Sequence, residues 1–484
     1  MIVSPESGSP EWWFQKLLAR FDAWEPDRST SDGTVIRETR RQRFDRLWSY
    51  HTGNAPLPQV AEQYTDVFRA VMRKARCNYA PIAVNALRSR MVLVGVSTAK
   101  DNDTGGDDLA AEIAEVSALE TGLQDMLAYL FVMSEAYGMV VAPKPGSDTK
   151  PMIAALDPRN AVGDPDPANP NLLRALLVRS VDEMFGIESM QLFLPGKRFE
   201  IQRKLTGSGL VNVSSKWDWV GEYDVPHIDH LGGIPAVRLD NEYGLGEFEP
   251  HTDLLDRIND VTLQRIVIVW YQSFRQRAVS GDLEGDSDDD DIDEPPDWDE
   301  VFRADPGSLW RVPEGVQFWE STATDIGPIL QAKRDDVKEF GVVTNTPLHL
   351  FSPDSANQTA EGASLTREGH DFKVKDRRAR VAPKIKMLFR MAFSMAGEPE
   401  RGTGLRLQWG ALENNSLADK GSASAQTKGV LSQKNQLVKI WGMTPKEAEE
   451  NITQLAGEQL LALSTAATVA GTAQQPDPQE LAAP

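Results

Sequence analysis

Between residues 325 and 397 the apolar and charged positions predict a helix, a break and a second helix. Asp325 can cap the first helix, because its carboxylate accepts free N–H groups of the first turn, and Pro328 is tolerated that early. Ile329, Leu330, Val337 and Phe340 recur at helical spacing, with Lys333, Arg334, Asp335, Asp336 and Lys338 between them. One face is therefore apolar and the other charged. The pattern stops at about residues 341–345, and Pro347 bars a simple continuation. A polar loop with a short apolar lip, Leu348-His349-Leu350-Phe351, comes next. Helical spacing resumes at residue 359 and lasts to Gly397. This second helix is basic: Arg367, Lys373, Lys375, Arg377, Arg378, Arg380, Lys384, Lys386 and Arg390 outnumber Glu361, Glu368, Asp371 and Asp376. Pro383 should kink it, since proline removes a donor and crowds the preceding turn.

The rest of the chain supplies helices and short strands in turn. Residues 10–50 have helical spacing, with a polar break at 27–33. Two more helices fill 60–91, a strand covers 92–96, a helix runs over 109–136, and a strand follows to 141. From 150 to 240 the period changes to two, giving strands at 152–156, 172–179, 190–194, 198–204 and 217–220. Asp157-Pro158 and Asp164-Pro165-Asp166-Pro167 read as rigid turns holding their carboxylates in solvent. Residues 252–277 predict a helix about 40 Å long. Its stretch 266–270 is apolar all round, which demands burial. One or two strands follow in 302–318, and a short strand at 405–409. Helices at 418–441 and 445–467 come last, the second opening on the capping box Thr444-Pro445-Lys446-Glu447. The composition of residues 470–484 predicts disorder. The fold class is α+β, predominantly α, with small mixed or antiparallel sheets.

Composition removes several kinds of chemistry. A net charge of −21 over 484 residues argues against a surface that grips nucleic acid tightly and suits one past which a polyanion slides. The one cysteine, Cys77, excludes an internal disulfide framework and points to a reducing compartment. No basic segment followed by an apolar core opens the chain, and the apolar run 266–271 is too short to cross a bilayer. No phosphate-cradling Gly-rich loop, nucleophile elbow or zinc motif is present, so no catalytic residue, metal ligand or cofactor is expected. Asp286 through Glu294 lacks the turn glycine and closing glutamate of a calcium loop and reads as a disordered acidic loop. His227 and His230 lack obvious further ligands.

Several stretches, in this order, resemble tailed-bacteriophage portal proteins of the siphophage group. They are Tyr50-His51-Thr52-Gly53-Asn54-Ala55-Pro56-Leu57-Pro58, then Asn78, Asn85, Arg90, Val94 and Gly95, then Ala136-Tyr137-Gly138-Met139-Val140-Val141. Gly232-Gly233-Ile234-Pro235-Ala236-Val237 with Asn241 follows. Last come Val343-Thr344-Asn345-Thr346-Pro347-Leu348 and the run from Asn357 to Leu365. The resemblance covers roughly residues 40–465. It implies the portal fold of wing, helical stem, clip and helical crown.

The implied division is an N-terminal arm (1–40), an α/β wing (41–250) and a first stem helix (251–277). A clip with an acidic loop (278–324), a second stem helix (325–345) and a tunnel loop (346–358) follow. A long kinked wing helix with a strand (359–410), crown helices (411–467) and a disordered tail (468–484) complete it. The implied function is a ring, usually of twelve subunits, that forms the channel for double-stranded DNA packaging and ejection at the capsid vertex. It would act in the virion, after assembly in the bacterial host cytoplasm. The expected partners are further copies of the chain, the DNA, the terminase large subunit, the head–tail adaptor and the major capsid or scaffold protein. Tunnel-loop residues expected to face DNA are Pro347, Leu348, His349, Leu350, Phe351, Asn357 and Gln358. Stem contacts between subunits fall to Leu255, Ile258, Ile266, Val267, Val269, Ile329, Val337 and Phe340. Clip partners would meet Asp288, Asp289, Asp290, Asp291, Trp298 and Phe302. The cations of the long helix would pair with acidic surfaces of neighbouring subunits. Two other classes stay open: an acidic metal-dependent hydrolase using Asp288–Asp293 or His227 and His230, and a capsid-associated structural protein without a channel.

Overall fold

The computed structural model describes residues 5–26, 28–29, 35–58, 65–100, 106–143, 146, 149–205, 216–225, 227–273, 277–280, 317–320, 324–351, 360–412, 417–443 and 445–472. α1 (Pro10–Phe21) begins on Ser9, whose hydroxyl accepts from Trp12 N at 3.2 Å. β1 (Arg28–Ser29) and β2 (Val35–Ile36) pair antiparallel ahead of α2 (Arg40–His51), which opens on a Thr39–Gln42 capping box. α3 (Thr65–Ala75), α4 (Ala80–Arg88) and β3 (Leu93–Ser97) follow. The helix expected over 109–136 is two helices, α5 (Asp108–Val116) and α6 (Leu119–Met133). Ala118, at φ 45°, turns the corner between them. No glycine or proline marks that corner, so the apolar spacing runs straight through it.

β4 (Glu135–Val141), β5 (Met152–Leu156), β6 (Ala161–Pro165), β7 (Leu173–Asp182), β8 (Ile187–Leu194), β9 (Lys197–Lys204), β10 (Asp218–Asp224) and β11 (Ala236–Asp240) are antiparallel. They make a five-stranded sheet in the order β10-β9-β8-β7-β6 and a three-stranded sheet, β11-β4-β5. β6 corrects the expectation of a solvent-facing turn. Pro165 is tolerated because β6 is an edge strand and the proline stands at its end. Asp164 is buried and takes both Arg20 (2.6 Å) and Arg174.

α7 (Thr252–Ser273) ends earlier than expected, because Arg277 already belongs to β12 (Arg277–Ser280), which pairs with β13 (Gln317–Glu320). α8 (Gly327–Val343) precedes the longest described element, α9 (Ala360–Met395), which runs on through Pro383. β14 (Arg406–Trp409) closes on β3. The helix expected over 418–441 is α10 (Leu417–Gln426) and α11 (Gln433–Gln436), the latter continuing as a π turn to Trp441. α12 (Pro445–Thr472) runs past the expected stop at 467.

The main core gathers around α9. Val374, Val381, Ile385, Leu388 and Ala392 line its inner stripe at helical spacing, and Phe389 and Phe393 are also fully buried. They meet side chains from α2, α4, α5, α6, β4, α7 and α8, and each large buried side chain contributes about 1.5–3 kcal/mol. β4 comes close under α9 at Gly138, where a Cβ would lie 2.6 Å from Leu388 Cδ1. The N-terminal arm is no free strand of chain. Phe14, Leu17 and Phe21 of α1 are packed against Val162, Leu177, Leu192 and Ile201 on the five-stranded sheet.

Candidate functional site

The end of α8 is built by its own sequence. Thr346 N donates to Gly341 O (2.8 Å) and Asn345 N to Val342 O (3.1 Å), which satisfies two of the carbonyls a helix end leaves open. Asn345 sits at φ 50°, in the left-handed region that asparagine tolerates better than other non-glycine residues. Thr344 Oγ1 donates to Phe340 O at 2.7 Å. The two carbonyls just past the helix are met by α9: Lys373 Nζ donates to Thr344 O (2.8 Å), and His370 Nδ1 lies 2.8 Å from Asn345 O. His370 Nε2 lies 3.1 Å from Ala86 O of α4, so one buried imidazole ties three elements together. Burial holds its pKa below the ordinary histidine value, although both carbonyls pull the other way. Asn345→Ala should cost about 1 kcal/mol of stability and Asn345→Gly almost nothing, read as shifts of a urea midpoint.

From this anchor the lip turns back over the helix. Leu348–Leu350 is a single 3-10 turn, and Phe351 stands edge-on to Phe340 (5.9 Å, 84°) and tilted against Tyr79 (6.0 Å). Gly341 allows the approach, since a Cβ there would lie 2.6 Å from Leu348 Cδ2. The expected DNA-facing residues differ in exposure. Pro347 is buried, and Leu348 and Phe351 are half-buried against the subunit itself, leaving His349 and Leu350 exposed. His349 is held below the ordinary histidine value, by partial burial first and then by Arg367 and Arg90. Asn357 and Gln358 lie outside the described residues.

The cations of α9 are spent mostly inside the subunit, not on neighbours as expected. Arg377 Nε and Lys373 Nζ both reach the buried Glu247 (2.6 and 2.7 Å). Arg377 also reaches Glu242 (2.8 Å), which Arg380 shares at 3.0 Å. Arg378 donates to the carbonyls of Arg90 and Gly410, Lys384 to Pro170 O (2.6 Å), and Arg390 to Gly402 O (3.1 Å). Sequence reasoning missed Glu247, Glu242 and His370 altogether. The one available signal was a cluster of charges in a helix whose apolar stripe already marks it as buried.

The expected stem contacts divide. Leu255, Ile258, Val337 and Phe340 lie in the subunit's own main core, so they are not free to meet a neighbour. The apolar stripe was real, but it faces inward. Ile266 and Val267 pack with Leu263 on Met72 and Ala75 of α3. Ile329 is half-buried, whereas Val269 and the adjacent Trp270 are exposed. The clip residues Asp288, Asp289, Asp290, Asp291, Trp298 and Phe302 lie outside the described residues. Between α7 and α8, Trp319 on β13 is exposed. His227 precedes a short 3-10 turn, Asp229–Leu231, and His230 lies within it; both are exposed, with His230 Nε2 3.5 Å from Ser394 Oγ. Among the described residues no three His, Cys, Asp or Glu side chains come together to hold a metal, and no helix is long and apolar enough to cross a membrane.

Comparison with protein families matches residues 35–459 to "Phage portal protein, SPP1 Gp6-like". The chain belongs to this portal protein family. A portal protein is a component of the phage capsid vertex. No curated protein matches the sequence. Similar solved structures include the neck of a native GTA particle computed with C12 symmetry, at 12% identity and TM-score 0.41, covering 81% of this portal protein and 97% of that chain. The neck of an empty GTA particle computed with C6 symmetry has 13% identity and TM-score 0.42, covering 82% and 98%.

Proposed function

We propose that this portal protein closes into a homo-oligomeric ring of twelve subunits, and that double-stranded DNA passes through it during packaging and ejection. The observation that carries the reading at residue level is the lip. His349 and Leu350 are exposed on a turn that is fixed at the end of a stem helix, while the neighbouring cations Lys373, Arg377, Arg378 and Arg380 are already bonded within the subunit. Of the cations close enough to act on His349, Arg90 is paired with Asp371 and only Arg367 is added by α9. A lip with so few cations to offer makes few lasting phosphate contacts, and each contact avoided removes a counterion-release gain that would hold DNA in place. The strongly acidic balance of the whole chain acts in the same sense. DNA should slide here, and the force must come from another protein, the terminase large subunit.

The β12–β13 ladder, with Trp319 exposed, is the base from which the clip would meet terminase and later the head–tail adaptor. Exposed Val269 and Trp270 near the clip end of α7 are the remaining stem candidates for contact between subunits. Capsid or scaffold protein would meet the wing, in the host cytoplasm during assembly and in the virion afterwards.

Rings of 53.5 kDa subunits would weigh roughly 640 kDa for twelve copies, measured by light scattering and seen with an axial hole by negative-stain microscopy. The double variant His349→Lys/Leu350→Lys should give rings of the same mass that package DNA at least severalfold more slowly, because it places a new cation circle on the lip. Packaging at the wild-type rate would take the lip out of the channel.

A further inference from the structure

β14 pairs antiparallel with β3 along one edge, and among the described residues no strand lies along the other. Where that ladder shifts register beside Gln408, Val94 is left without a partner on β14. Asp107 N donates to Val96 O at 2.8 Å, so the chain leading into α5 closes the free edge only at that end. The edge itself, Leu93-Val94-Gly95-Val96-Ser97, carries no charge and no proline. An apolar edge of that kind is a template for another strand.

A groove of about 490 Å³ runs beside it, lined by every residue from Val92 to Val96 on one side and by α5 and the start of α6 on the other. Its buried lining includes Leu119, Leu123 and Phe389, and the small side chain of Ala114 leaves it open. Glu115 and Glu120 also line it and are exposed, and neither has a cation partner among the described residues.

These features ask for one kind of occupant. Free N–H and C=O groups of an edge strand are met in register by an extended chain, whereas a compact apolar molecule would leave them unmet. Alternate side chains of an extended chain point the same way, so one set enters the groove while the other stays outside. The two unpaired carboxylates make the complementary chain a basic one.

We propose that β3, α5 and α6 form a strand-docking groove for a basic, extended segment of a partner protein. Its apolar side chains pack over Leu119, Leu123 and Phe389, and its lysine or arginine meets Glu115 and Glu120. The docked segment turns the β14–β3 pair into a three-stranded sheet. The groove is complete within one subunit, so the docking stands apart from the ring reading above.

The test is fluorescence anisotropy of a labelled peptide, Lys-Val-Lys-Val-Lys-Val-Lys, titrated with the full chain. It should bind saturably and slow amide exchange at residues 93–96 by about tenfold or more. The same peptide with methylated backbone nitrogens keeps its side chains and charge but donates nothing, and should bind about tenfold more weakly or worse. Glu115→Lys/Glu120→Lys should weaken binding of the unmodified peptide about tenfold or more, with a urea midpoint like that of wild type. Ala114→Trp, which fills the groove, should do the same. Glu11→Lys/Glu183→Lys, a matched reversal at exposed residues elsewhere, should leave binding unchanged. Absence of saturable binding, equal binding of the methylated peptide, or equal effects of the two double reversals overturns the groove. Binding by dissociated subunits that is lost in the ring would give the groove to a neighbouring copy and overturn the partner.

Discussion

Arg377→Met should destabilise the subunit by about 3–5 kcal/mol, read as a shift of the urea unfolding midpoint without change of slope. Methionine fills a similar space, so packing is largely kept and the loss is electrostatic. Glu247 is buried and accepts from Arg377, from Lys373 and, at 3.2 Å, from Asn241 Nδ2. Without Arg377 a charged carboxylate remains in the interior with Lys373 as its one cation partner among the described residues, and that under-compensated charge is the cost. Glu242 also loses its bond at 2.8 Å, but it is more exposed and keeps Arg380. The pH dependence gives a second check. Burial alone would push the Glu247 pKa up, but Lys373 and Arg377 together hold it below the ordinary glutamate value of about 4.3. A depressed carboxylate contributes stability that is fully present above its unfolded pKa and is lost as pH falls through the folded one. The gap between wild type and Arg377→Met should therefore be full at neutral pH and close in the acid range below about pH 4. A gap that persists at pH 3 would mean that the arginine's packing, and not its charge, carries the effect.

This network was invisible in the sequence because its partners lie far apart. Arg377 and Glu247 are 130 positions distant, and nothing local to either says which of the many charges it meets. The end of α8 was legible for the opposite reason. Asn345 supplies the left-handed residue, Thr346 the returning N–H, and Pro347 forbids a further turn, all within three positions. The same locality explains the errors at β6 and at the α5–α6 corner. Pro165 reads as a turn unless the strand is known to be an edge, and Ala118 carries no signal of its φ of 45°.

The stem residues show a further limit of periodicity. The periodicity of Leu255, Ile258, Val337 and Phe340 says that a face is buried, and it is. Periodicity cannot say by whom, since a subunit's own core and a neighbouring copy ask for the same residues at the same spacing. What separates the two cases is exposure in the isolated fold. That criterion turns attention to Val269 and Trp270.

Phe340→Ala should cost about 3–5 kcal/mol, because Phe340 is fully buried and alanine leaves a cavity beneath the lip. Its ring is also the edge-on partner of Phe351, so the variant should loosen the lip together with the core. Phe351→Ala separates the two effects. Phe351 is only half-buried, so its removal should cost roughly 1–2 kcal/mol and leave the subunit folded. The turn Leu348–Leu350 would keep the bonds at Asn345 and Thr346 but lose its hold on Phe340 and Tyr79. Faster amide exchange at Leu350 and position 351, with a midpoint shift well below that of Phe340→Ala, is the expected signature. If the position of the lip matters to passing DNA, rings of Phe351→Ala should package less DNA than their stability would suggest, whereas rings of Phe340→Leu should package nearly normally. The leucine retains most of the buried volume and loses an edge-on contact worth about 0.5–1.5 kcal/mol. Equal packaging by wild type, Phe351→Ala and Phe340→Leu would mean that the aromatic clamp serves folding alone and that the position of the lip is without consequence for the DNA.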